Sequence, residues 1–157
     1  MANAEVNGED DDKAYFKAVL KCRMCQQRFA GAARVALDRS AFLHFAGRAE
    51  ANEQRLLAQR NLCASLDGVG RHDEALVVVK NLLAALQRLF GPNDSRTMDT
   101  EELLANILVS GTAEDILTAI KILSRIVAWK SRNYGPDSSS ALDARAYLAS
   151  AHGKARN

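Results

Sequence analysis

Apolar residues recur at helical spacing along almost the whole chain, and short polar or glycine-containing breaks interrupt them. The pattern predicts seven helices after an acidic, polar leader over residues 1–12. Ala14 to Cys25 is the first, with Tyr15, Ala18, Val19 and Cys22 on one stripe. Gln27-Arg28 is a weak break. Phe29 to Phe45 forms the second helix, ending near Gly47. Ala49 to Leu66 forms the third, and Asp67-Gly68-Val69-Gly70 stops it. His72 to Phe90 is the fourth, with Asp73 and Glu74 in the first turn, where the helix dipole favours negative charge. Its broad apolar face carries Ala75, Val78, Val79, Leu82, Leu83, Leu86 and Leu89, and Gly91-Pro92 ends it. Ser95 or Thr97 caps the fifth helix, which runs to about Val109. Thr112 caps the sixth, Ala113 to Tyr134, which Gly135-Pro136 ends. The seventh opens at Ser138 to Ser140 and runs through Ala151 to a stop at Gly153.

These elements repeat. The two Gly-Pro dipeptides lie 44 residues apart, and each has a small residue, Ala75 or Ala119, sixteen positions before its glycine. Another step back lands on Gly47 and Gly31. A fixed period of this length is the mark of stacked helical repeats. The connections are short, so consecutive helices pack antiparallel. The expected architecture is all-α, an α-solenoid of antiparallel helix pairs. Its domain spans residues 13–154, in units of about 13–48, 49–94 and 95–137 and a half unit 138–154. Ala75, Ala119 and Gly31 are small where paired helices approach; a larger residue would overpack, at about 1–3 kcal/mol.

Composition fits that class. The chain has 157 residues, 48% hydrophobic and 6% aromatic, with two prolines. No apolar run is long enough to span a bilayer, and the acidic start lacks the form of a signal peptide. The expected setting is cytoplasmic, with the nucleus as the alternative. Residues 1–12 hold five acids and no base, so the remaining 145 carry +7 against a chain total of +2. A basic body raises nucleic acid as a second-ranked partner, through Arg23, Arg28, Arg34, Arg39, Arg48, Arg55 and Arg60. These arginines occupy several helix faces, which is why RNA ranks second.

Little points to chemistry. Cys22-Arg23-Met24-Cys25 has the spacing of half a zinc site, but no second pair accompanies it and it lies inside a helical pattern. Cys22, Cys25 and Cys63 are read as reduced thiols. His44, His72 and His152 are scattered, and Gly68-Val69-Gly70 is a turn rather than a phosphate loop. The expectation is no catalytic residue, no metal and no cofactor.

The clearest unit runs from Arg60-Asn61-Leu62-Cys63-Ala64 through Gly70-Arg71-His72-Asp73-Glu74-Ala75-Leu76 to Leu82-Leu83 and Phe90-Gly91-Pro92-Asn93-Asp94-Ser95 with Thr97. It resembles a tetratricopeptide repeat of the longer, kinesin-light-chain type. A second unit keeps Leu104-Ala105, Ala119, Ile122-Leu123, Arg125 and Tyr134-Gly135-Pro136-Asp137, and a half unit keeps Ala146-Tyr147-Leu148-Ala149. Two departures stand out. Leu82 replaces the family's alanine, which should open the packing slightly. Asp94-Ser95 and Ser138-Ser139 replace its His-Pro, which should loosen the loops.

The resemblance implies a non-catalytic scaffold for protein–protein interaction, with a peptide or partner helix on a concave face lined by the shorter helices. Arg60, Asn61, Ala64 and Asp67 would line it from one unit, and Asp99, Glu102, Asn106 and Ser110 from the next. Asn61 is the sharpest candidate, since its amide both donates and accepts. Glu102 is acidic where the carboxylate-clamping subtype needs a base. No membrane partner is expected. Self-association is a third reading, because the seventh helix lacks the second helix of its pair and leaves Leu142, Ala146, Leu148 and Ala149 partly open.

Overall fold

The computed structural model of the protein describes residue 24 and residues 27–156, and it is all-helical. Six helices occupy the described residues: α1 Gly31–Phe45, α2 Glu53–Gly68, α3 His72–Phe90, α4 Ser95–Leu108, α5 Ala113–Tyr134 and α6 Ser139–Lys154. The expected leader, the expected helix Ala14–Cys25 and the Cys22/Cys25 pair lie outside the described residues. The chain forms two compact units, divided between Val69 and Gly70. Among the described residues, no helix is long and apolar enough to cross a membrane.

In the first unit, α1 packs on α2. Ala41 and Phe45 of α1 meet Ala58 of α2 in a buried cluster. Asp38 is also buried on α1, and its carboxylate accepts from the Arg34 guanidinium one turn back at 2.7 Å. The start of α2 falls at Glu53 rather than Ala49. The Asn52 side chain accepts from the Arg55 backbone N–H at 3.0 Å, and this cap fixes where the helix begins. Gly31 has a φ of +57°, a backbone conformation that suits glycine, and among the described residues a Cβ there would touch nothing within 4 Å; the helix expected to pair with it lies outside the described residues.

In the second unit each helix packs on its neighbours in sequence, α3 on α4, α4 on α5 and α5 on α6. The small residues expected at close approaches, Ala75 and Ala119, are both fully buried. Met98 of α4, Ile126 of α5 and Ala144 of α6 form one buried cluster, flanked by Ile122, Val127 and Trp129. Leu82, which stands where the resemblance has alanine, is 1% exposed and is part of the buried core.

The connections repeat as the helices do. Gly91 and Gly135 have φ of +86° and +93° with extended ψ, a region closed to residues with a Cβ. Each precedes a proline, and together they turn the chain out of α3 and α5. The residues replacing His-Pro tie the following loops. Asp94, and not Ser95 or Thr97, caps α4 by accepting from the Arg96 N–H at 3.0 Å. The Thr97 hydroxyl instead donates to the Gly91 carbonyl at 2.8 Å, closing the loop from inside. The Arg96 guanidinium lies 3.5 Å from the Phe90 ring centroid. At the second loop Ser138 caps α6, and its hydroxyl donates to the Gly135 carbonyl at 2.8 Å. Helix α6 runs through Gly153 to Lys154, because one glycine late in a helix weakens it without breaking it.

Candidate functional site

The residues expected to meet a partner fall into one stripe on each unit. On α2 of the first unit, Arg60 and Ala64 are exposed while Asn61 and Asp67 are half-buried. On the second unit, Asp99 is exposed and Glu102 and Asn106 are half-buried on α4, with Ser110 exposed just past its end. Steps of three and four residues set each group along one helix face. The Asn61 and Asn106 amides make no side-chain hydrogen bond among the described residues. Each therefore offers a donor and an acceptor from a position partly shielded from water.

Glu102 differs from its neighbours. Its Oε2 accepts from the Lys130 ammonium of α5 at 2.6 Å, and the two side chains are 14% and 5% exposed. One residue earlier, the buried Glu101 carboxylate pairs with the Arg125 guanidinium of α5, and Gln87 of α3 donates to it at 3.4 Å. The two adjacent carboxylates of α4 thus meet two cations of α5. The Glu102 Oε1 atom is buried without a hydrogen-bond partner. Glu102 serves first as a link between helices. The sequence pattern could not single out Glu101, Arg125 or Lys130 for this role, because the partners lie more than twenty residues apart on separate helices.

Next to the stripe is an open cleft of about 350 Å³. The start of α3 (His72, Asp73, Leu76) forms one wall, and Ser110, Thr112 and Asp115 lie on another. Asp115 is committed locally. Its Oδ2 accepts from the Thr112 backbone N–H at 2.8 Å and the hydroxyl at 2.7 Å, and that hydroxyl accepts from the Asp115 N–H. This capping box holds the Asp115 carboxyl below the usual carboxylate range, chiefly through the Thr112 side chain. A Cβ at Gly111 would stand 2.6 Å from Asp115 Oδ2, so a larger residue there would have to displace the capping carboxylate.

Other groups considered for chemistry are occupied by structure. Cys63 is fully buried on α2, and burial, aided by the Asp67 charge, pushes its thiol up to about 12. Such a thiol is neither nucleophile nor ligand at neutral pH. Among the described residues no three His, Cys, Asp or Glu side chains converge as a metal set. Of the early arginines, Arg34 pairs with Asp38, and Arg55 donates to the Arg48 carbonyl at 2.6 Å. On the first unit α2 presents the Asn61 amide, and on the second α4 presents the Asn106 amide and the exposed Asp99 carboxylate, with the Ser110 hydroxyl just past its end. No family model, no curated protein and no solved structure matches the chain.

Proposed function

We propose that the chain is a non-catalytic protein-interaction scaffold of tetratricopeptide-like repeats, working in the cytoplasm. Its helix pairs would stack as a right-handed α-solenoid and take an extended peptide or a partner helix along the polar stripe of the shorter helices. The observation that carries the reading is the pair of half-buried, uncommitted amides, Asn61 and Asn106. An amide so placed can hold the backbone of a bound segment, whose own N–H and C=O need partners once water is excluded. The 44-residue recurrence of Gly91 and Gly135, and of buried Ala75 and Ala119, supports the repeat reading.

The test is selection of binders from a displayed random-peptide library, followed by titration calorimetry on the winners. Asn106→Ala removes one backbone-facing amide and is expected to cost about 1 kcal/mol, roughly fivefold in affinity. Asn61→Ala should act in the same direction. Unchanged affinity in both variants for every selected peptide would remove the stripe from the interface.

A further inference from the structure

The cleft between the start of α3 and the α4–α5 turn combines two kinds of lining. Leu76, Ile107 and Leu108 give it apolar surface, and Asp73 and Asp115 bring a carboxylate from either wall. Asp73 is exposed and makes no hydrogen bond or ion pair among the described residues. Asp115 commits Oδ2 to Thr112, and its Oδ1 accepts nothing from the described residues. No described lysine or arginine pairs with either carboxylate. Lys80 acts on Asp115 through charge alone, and its ammonium is exposed to screening by water. The N-termini of α3 and α5 border the same cleft, and each contributes about half a positive charge. Two full negative charges outweigh those two halves, so the cleft favours a cation over an anion.

We propose that this cleft takes the side chain of an arginine from the bound peptide. The proposal rests on the peptide-binding reading above and names the residue that anchors the partner. At about 350 Å³ the cleft lies near the lower end of small-ligand pockets, with room for one side chain rather than a larger molecule. A metal ion fits it poorly, since no three His, Cys, Asp or Glu side chains converge among the described residues. An arginine matches both linings. Its apolar stem can lie along Leu76, Ile107 and Leu108, while its planar guanidinium carries five N–H donors for the two carboxylates. A lysine ammonium is a compact, strongly hydrated point charge and serves two walls less well. Ser110 lines the cleft four residues past Asn106, so a segment held by that amide can deliver a side chain here.

The probe is a glycine-arginine-glycine tripeptide blocked at both ends. Its uncharged control has citrulline, of the same shape, in place of arginine, and its anionic control has glutamate. NMR titration of the isotope-labelled whole chain at low salt follows the backbone amides of Ser110 and Gly111. The arginine tripeptide is expected to shift them saturably, and the citrulline one to bind about tenfold more weakly. Asp73→Asn should weaken the arginine tripeptide about fivefold while keeping the wild-type circular dichroism, since Asp73 is exposed and unpartnered. Asp99→Asn, outside the cleft, should change nothing. Equal binding of the citrulline tripeptide, preference for the glutamate one, or indifference to Asp73→Asn would overturn the proposal. So would the lack of any saturable shift, which would mean a cleft that takes no cation or that the chain's own cations already fill. The tripeptide is too short to depend on Asn61, and Asn106→Ala should leave its binding unchanged, so this result and the amide test fail separately.

Discussion

Cys63 shows how one residue's surroundings set its chemistry. It stands on α2 between Leu62 and Ala64 and has no exposed surface. Burial disfavours the thiolate, so the folded protein holds the proton from the ordinary 9.0 up to about 12. A group whose folded pKa is raised contributes its full stability below the unfolded value and loses it as the pH climbs through the folded one. Urea unfolding should therefore show the stability difference between wild type and Cys63→Ala shrinking steadily from pH 9 towards pH 11. A difference that stays flat over that range would mean that the thiol is not held protonated by the fold. Gly31 carries the complementary lesson. Its place in the 44-residue series suggests a packing role, and its positive φ adds a backbone constraint that the series does not announce. A letter in a repeat reports that a small residue is present, and not which constraint placed it there.

At the scale of helices, legibility tracked local signals. The bounds of α3 and α5 could be read because an acidic first turn opens each and a Gly-Pro pair closes it. Helix α2 starts later than its apolar pattern, since the Asn52 cap and not the periodicity decides the first turn. What holds α4 to α5 was not legible, because charge pairing between helices depends on register and rotation that no local pattern encodes. Yet the register matters energetically. Lys130 is 95% buried against Glu102. Lys130→Met leaves that carboxylate buried and unpaired, which should cost about 3–5 kcal/mol. Glu102→Leu with Lys130→Met removes both charges and should recover most of the loss. Chemical denaturation of the three proteins checks this, and a single variant as stable as wild type would show the pair to be incidental.

For the whole molecule, the arrangement in sequence order makes a statement about cooperativity. The unit from Gly70 onward holds four helices, each packed on its neighbours along the chain, with caps drawn from adjacent residues. Contacts this local need little loop closure, which favours fast folding and independence from distant segments. Residues 70–157 expressed alone should thus retain a helical circular dichroism spectrum and unfold cooperatively in urea. Ending that fragment at Gly135 removes α6 and exposes its contact surface on α5, including Ile126. If stability is a sum of helix and nearest-neighbour terms, as in stacked repeats, the shorter fragment should unfold at lower urea while α3, α4 and α5 stay folded without denaturant. Collapse to a random-coil spectrum on losing α6 would instead mark one indivisible core and would count against the repeat reading. A midpoint that does not move would mean that α6 contributes nothing to the stack, despite the buried faces of Ala141, Ala144 and Ala151.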